Sequence, residues 1–260
     1  MKDLKNIKLF LLDMDGTIYL DDEVFDGVYD FLNKIKAENK KYIFLTNNSS
    51  KSQLDYLNKL KRLNIDVTLD NIFTSGMAMG MYLTQMYKGK SVYLVGTKAL
   101  QGELEAYNVK IVNDDPDIVL IGFDRELTYE KLEKTCKYID DGKIYLATNT
   151  DYVCPIAGGR YIPDCGSICD MIYNATKKRP KFIGKPEPDM INILKEKENL
   201  KDDEVLMIGD RLYTDIKSAN NANIKSCLVL SGETSIDDYN KSDIKADYVF
   251  NSVKDMIDLI

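Results

Sequence analysis

The chain has 260 residues, of which 44% are hydrophobic and 30% charged, with a net charge of −7, enough for one large domain or two modest ones with apolar cores. Acids and bases are interspersed without a basic face, so nucleic acid is not an expected partner, and no apolar run reaches the roughly 18 residues of a membrane span, so no membrane partner is expected either. Histidine is absent, which excludes Ser-His-Asp and Cys-His nucleophile systems, a histidine phosphoryl carrier and an HExxH zinc site, and leaves acid–base chemistry to carboxylates, Lys, Tyr or a metal-bound water.

In chain order, residues 8–14 carry a continuous apolar run that stops at Asp13, which predicts a strand buried on both faces of a parallel sheet. That run stops at Asp13, before the h-region of a secretory signal would be complete, and the expected location is cytoplasmic. A helix is predicted over 24–39, with Val28, Phe31, Leu32 and Ile35 at helical spacing. A second buried strand follows at 41–46, then Asn47, Asn48, Ser49 and Ser50, then an amphipathic helix over 52–63. Residues 72–75 read as a short strand and 77–87 as a helix. Strands are predicted at 92–96, 118–123 and 144–148, with helices at 129–139 and 167–177. The last part shows a helix at 189–198, a buried strand at 204–210 ending in Asp, a helix at 214–221 and strands at 225–230 and 247–250.

This βαβα alternation points to the α/β class: a doubly wound parallel-sheet (Rossmann-like) core with an inserted α/β cap domain. The core is expected over 1–80 and 181–260, and the inserted domain over 81–180. No internal repeat or low-complexity stretch is visible. The five cysteines, Cys136, Cys154, Cys165, Cys169 and Cys227, are scattered without a CxxC pair and read as reduced structural thiols. Cys165 and Cys169 could share a helix face, but no third and fourth zinc ligands stand nearby.

Four polar clusters fall at the carboxyl ends of predicted strands, the edge where open α/β sheets bind ligands. They are Asp13-Met14-Asp15-Gly16-Thr17, Thr46-Asn47-Asn48-Ser49, Gly184-Lys185-Pro186, and Gly209-Asp210-Arg211 with Asp215. Asp13, Asp15, Asp210 and Asp215 together would be a dense knot of negative charge that cannot stay ionised without a cation. A hard dication with oxygen ligands resolves this, and Mg²⁺ fits best, with Lys185 adding positive charge. Each fragment has a plainer reading. Asp-Gly is a common turn, and Thr46-Asn47-Asn48 could be a helix N-cap as well as a phosphate cradle. Lys88-Gly89-Lys90-Ser91 imitates the end of a P-loop, but position 84 is Thr84 rather than Gly and a strand follows instead of preceding it, so it is set aside.

Taken in this order, DxDGT, the GKP lysine and the GDxxxxD pair resemble the haloacid dehalogenase superfamily of phosphatases over nearly the whole chain. The resemblance implies that Asp13 is the nucleophile, forming an acyl phosphate, and that Asp15 is the general acid–base. It implies Mg²⁺ bound by Asp13, Asp15 through its backbone carbonyl, and Asp210, with phosphate contacts from Thr46, Asn47, Asn48 and Lys185. Asp215 would hold metal-bound water or orient Lys185, and Gly16 allows the turn after the nucleophile strand. Only about thirty residues separate Asp15 from Thr46 and about 140 separate Thr46 from Lys185, so an extra domain fits only in the second gap.

The Thr46-Asn47-Asn48-Ser49 and Gly209–Asp215 stretches resemble the NagD-like, p-nitrophenyl-phosphatase-like branch. Within the cap, Ala147-Thr148-Asn149-Thr150-Asp151 resembles that branch's substrate-facing region, making Asn149 and Asp151 candidate substrate contacts. Pro163-Asp164-Cys165-Gly166 departs from the branch's Pro-Gly-x-Gly turn. The implied activity is hydrolysis of a small phosphorylated metabolite, such as a sugar phosphate or nucleoside monophosphate. The alternatives are a phosphotransferase or phosphomutase on the same scaffold, or a catalytically idle binding module. Cap surfaces leave room for a homodimer.

Overall fold

The computed structural model describes residues 4–156 and 158–260. The first part of the chain forms β1 (Leu9–Leu12), a small hairpin of β2 (Tyr19–Leu20) and β3 (Glu23–Val24), α1 (Val28–Ala37), β4 (Lys41–Thr46), α2 (Gln53–Arg62) and β5 (Ile72–Thr74). Next come α3 (Ser75–Met86), β6 (Ser91–Val95), α4 (Lys98–Ala106), β7 (Lys110–Ile111), β8 (Ile118–Ile121), α5 (Tyr129–Asp140) and β9 (Ile144–Ala147). The hairpin β10 (Val153–Ile156) and β11 (Arg160–Pro163) leads to α6 (Cys165–Thr176) and β12 (Lys181–Phe182). The chain ends with α7 (Asp189–Glu198), β13 (Val205–Gly209), α8 (Lys217–Asn221), β14 (Lys225–Val229), α9 (Ile236–Lys241) and β15 (Tyr248–Phe250).

The chain divides into two compact units, one of residues 1–46, 56–73 and 185–260, the other of 47–55 and 74–184. The sequence expectation placed the change at residue 81, which lies inside α3; residues 74–80 fall with the second unit instead, as do residues 47–55, where the Gln53 N–H donates to Glu103 Oε1 at 2.6 Å. The reason is that Thr74 caps α3, its hydroxyl accepting from the Met77 N–H at 3.0 Å, and α3 packs on α4, with Gly80 against the Tyr107 ring. Residues 181–184 likewise fall with the second unit, because β12 pairs with β9.

In the first unit β1 is buried along its whole length and sits between β13 and β4 in a sheet of order β15-β14-β13-β1-β4-β5. Where the pairings are resolved, they are parallel, for instance Leu9 opposite both Val205 and Lys41. Alternating residues point to opposite faces. Phe10 and Leu12 join Phe31, Phe44, Tyr56 and Leu60 in one core, and Leu228 packs with Leu212 and Ile216 in another. Four consecutive apolar residues in β1 therefore read as a strand covered on both sides, as the sequence predicts. The predicted helix over 24–39 starts only at Val28, because Gly27 adopts φ +78 at its N-cap and Glu23–Val24 pairs with Tyr19–Leu20. The helix predicted at 214–221 is preceded by a π-turn over Leu212–Ile216 before α8 begins.

The second unit holds its own sheet of order β12-β9-β8-β6-β7, parallel throughout, and the antiparallel hairpin β10–β11. Val95, Ile121, Ala147, Cys165, Ile168 and Cys169 share its core. Helix α4 is absent from the sequence expectation. Its start is fixed by Thr97, whose hydroxyl accepts from the Leu100 N–H at 3.2 Å, and Leu100 and Leu104 are fully buried. The strands β7 and β12 are two residues each, and β10–β11 carries Pro155 and Pro163, so none shows a usable alternation. Among the described residues no helix is long and apolar enough to cross a membrane.

Candidate active site

β1 is the strand at which chain order reverses in the first sheet, with β13 on one side and β4 on the other. Asp13 follows β1, Thr46 ends β4 and Asp210 follows β13, so three of the four sequence clusters emerge side by side at one carboxyl edge. The fourth enters through Lys185. Its ammonium donates to Asp13 Oδ1 at 2.6 Å, to Asp215 Oδ1 at 2.7 Å and to the Leu45 carbonyl at 3.2 Å, which uses all three of its donors. The side chain is only 2% exposed and Asp215 1%. Burial by itself would depress the Lys185 pKa; Asp13 and Asp215 more than offset this and hold the ammonium above its ordinary range.

Asp210 is buried, and its Oδ2 accepts the Glu233 N–H at 2.7 Å. Its Oδ1 is buried with no hydrogen-bond partner. Burial, then the charges of Asp13 and Asp215, push its pKa up to about 7. Asp215 is pushed to about 6, by burial first, with Lys185 pulling the other way. Asp13, Asp210 and Asp215 each offer an oxygen, and these atoms all lie within 4.8 Å of one another. A carboxylate with an orphaned oxygen, clustered with two further carboxylates, is what a hard dication would satisfy. The residues present thus fit the divalent ion that the sequence implies. Gly16, at φ +89, leaves room for this arrangement: a Cβ there would meet Asp210 Cγ at 2.7 Å.

Asp15 lies beside this group with 51% of its side chain exposed, and its carboxylate pairs with Lys59 at 3.5 Å. Desolvation by the protein on its covered side raises its pKa; Lys59 opposes the rise and Asp13 adds to it. Arg211 is a further cation to which the sequence reading assigned no role. Its guanidinium pairs with Glu233 at 2.9 Å, and its backbone N–H donates to Asp215 Oδ2 at 3.1 Å. Burial disfavours its charge, while Asp13, Asp210 and Asp215 hold it protonated.

The remaining predicted residues lie in the second unit. Asn47 Nδ2 donates to Asp151 Oδ2 at 2.6 Å and Asn149 Nδ2 to the same oxygen at 2.9 Å. Asn149 also donates to Asp164 Oδ1 at 3.0 Å. Asp164, the departure from the branch's turn, is therefore the N-cap of α6 and an anchor for Asn149. Asn48 is engaged in its own loop, its Oδ1 accepting from the Ser50 N–H and hydroxyl at 2.9 and 2.8 Å. The N-cap of α2 does not come from Thr46-Asn47-Asn48: Ser52 and Asp55 exchange hydrogen bonds there instead, the Asp55 N–H donating to Ser52 Oγ at 3.2 Å.

The profile described as haloacid dehalogenase-like hydrolase matches residues 10–110, and a HAD-hydrolase-like profile matches 182–256. The acid sugar phosphatase of Staphylococcus saprophyticus is 32% identical over 255 residues, covering 98% of both chains. The crystal structure of a 4-nitrophenylphosphatase from Thermotoga maritima superposes with a TM-score of 0.95 at 40% identity over 99% of each chain. NagD from Escherichia coli K-12 gives 0.90 at 31% identity, over 98% of this chain and 99% of its own. The order of motifs, the acidic cluster about β1 and these full-length likenesses agree, and the chain belongs to the haloacid dehalogenase-like hydrolases, within their NagD-like, p-nitrophenyl-phosphatase-like branch of phosphatases.

Proposed function

We propose that the protein is a Mg²⁺-dependent phosphatase that hydrolyses a small-metabolite phosphomonoester through a phospho-aspartate on Asp13. The observation that carries the reading is the convergence of one oxygen each from Asp13, Asp210 and Asp215 within 4.8 Å of one another, with the buried Lys185 paired to Asp13 and Asp215. An Asp13 oxygen attacks phosphorus in line, the ester P–O bond breaks, and Asp15 gives its proton to the departing alkoxide oxygen. Asp15, now ionised, takes a proton from water as that water attacks the acyl phosphate, and inorganic phosphate leaves with Asp13 restored. Lys185 holds the Asp13 carboxylate by the 2.6 Å hydrogen bond and offsets negative charge at the phosphoryl group. Asp13, Asp210 and the backbone carbonyl of Asp15 are the proposed ligands of Mg²⁺, which when bound would supply Lewis-acid neutralisation of phosphate charge. Thr46, Asn47 and Asn48 are proposed as phosphate contacts, and Asn149 and Asp151 as residues that recognise the rest of the substrate. Relatives named acid sugar phosphatase and 4-nitrophenylphosphatase support a small phosphomonoester, with sugar phosphates the first class to test.

The test is phosphate release from p-nitrophenyl phosphate with Mg²⁺, with a chelator, and by Asp13→Asn. Release should stop with chelator and return with added Mg²⁺, and the variant should be inactive yet folded. Full release in chelator, or by the variant, contradicts the reading. A screen of sugar phosphates against nucleotides, read as kcat/KM, then ranks the substrate classes.

A further inference from the structure

α2 turns Tyr56, Leu57 and Leu60 into the core and leaves Lys61 and Arg62 exposed. Lys59 follows neither pattern: its side chain is only 18% exposed. Its ammonium lies 3.9 Å from the centroid of the Tyr19 ring and 3.5 Å from Asp15 Oδ1. Tyr19 is fully buried, and its carbonyl accepts the Gly16 N–H at 2.8 Å, so the ring beneath Lys59 is tied to the same turn that carries Asp15. Aromatic face and carboxylate together confine an otherwise flexible four-carbon stem. An ion pair with a half-exposed partner adds little to stability, so a stability role does not account for the partly covered ammonium.

We propose that Lys59 is a positioning residue for the reaction: seated on Tyr19, it holds the Asp15 carboxyl in the orientation that delivers a proton to the leaving oxygen. This rests on the proposed role of Asp15 as general acid. Without Lys59 the carboxyl, open to solvent on one side, rotates among its staggered positions, and a displacement of about 1 Å at a reacting group costs on the order of 100-fold in rate.

The consequence is selective. Glucose 6-phosphate expels an alkoxide that needs the proton; p-nitrophenyl phosphate expels a stabilised phenolate that hardly does. The measurement is kcat/KM for both substrates, which reports the steps up to formation of the phospho-aspartate, for wild type, Lys59→Met, Lys59→Arg and Asp15→Asn. The ratio of the two values is independent of the fraction of each preparation that is folded. Lys59→Met should lower the glucose 6-phosphate value roughly tenfold or more beyond any loss on p-nitrophenyl phosphate, and Lys59→Arg should restore most of the ratio. If Asp15→Asn shifts the ratio and Lys59→Met leaves it at the wild-type value, the role of Lys59 is refuted while that of Asp15 stands. If Asp15→Asn itself leaves the ratio unchanged, the general-acid reading fails and the inference with it.

Discussion

Replacing Lys185 by Met probes the polar centre of the first unit. The ammonium is 2% exposed and sits between Asp13 Oδ1 at 2.6 Å and Asp215 Oδ1 at 2.7 Å. Met has a similar length, so little cavity is created; what is lost is the charge. Asp215, 1% exposed, would keep the Arg211 N–H but lose its cation at Oδ1. Breaking a buried pair from one side costs about 3–5 kcal/mol, because the other charge is left uncompensated. For a chain of this size that lowers Tm by roughly 6–20 °C. Thermal unfolding in chelator, followed by circular dichroism, reads the loss without a contribution from metal. The double variant Lys185→Met/Asp215→Asn removes the stranded charge and should recover much of it, with a coupling on the order of 2 kcal/mol in the cycle. A loss below about 1 kcal/mol, the value of an exposed pair, or strictly additive losses would refute the claim that the two groups form one buried ion pair.

Three further outcomes follow from other sites. Glu103, buried in the second unit and accepting from Thr74 Oγ1 at 2.8 Å and the Gln53 N–H at 2.6 Å, is raised from 4.5 to about 7, chiefly by desolvation. A folded pKa above the unfolded one means that its contribution is full below about 4.5 and lost as pH rises through 7; Glu103→Gln should therefore gain about 3 kcal/mol relative to wild type between pH 4.5 and 8, read by denaturant unfolding at each pH. Gly16→Ala forces a side chain into φ +89 and against the Asp210 carboxylate, so it should lower Tm and weaken Mg²⁺ binding in calorimetry together. Asp164→Ala removes the α6 N-cap and the anchor of Asn149 and should cost about 1 kcal/mol; unchanged stability would show that neither bond matters.

Much of the first unit is legible in the sequence because its chemistry sits where strands end. Asp13, Thr46 and Asp210 each follow an apolar run long enough to mark a buried strand, and their convergence needs only the rule that parallel strands present their carboxyl ends together. Residues acting across the fold carry no such mark. Lys59 looks like any lysine on the polar side of an amphipathic helix, and only the placement of Tyr19 beneath it distinguishes it. Arg211 stands inside a recognised motif, yet its pairing with Glu233 joins two loops that no local pattern links. Glu103 lies in a helix whose start depends on a single Thr97 cap. The division at residue 74 rather than 81 turns on the same kind of signal, Thr74 at the start of α3. Asp164 was visible only as a departure from a pattern; its bonds to Asn149 and the Cys165 N–H give it a structural purpose.

The central claim is that a covalent phosphoryl group forms on one carboxylate. Rapid acid quench of the enzyme turning over a phosphate-labelled substrate, followed by peptide mapping, tests it most directly. The account predicts label on the peptide containing Asp13, released by hydroxylamine as an acyl phosphate would be and absent in Asp13→Asn. Label on another residue, or none while product accumulates in the same quenched samples, would contradict it.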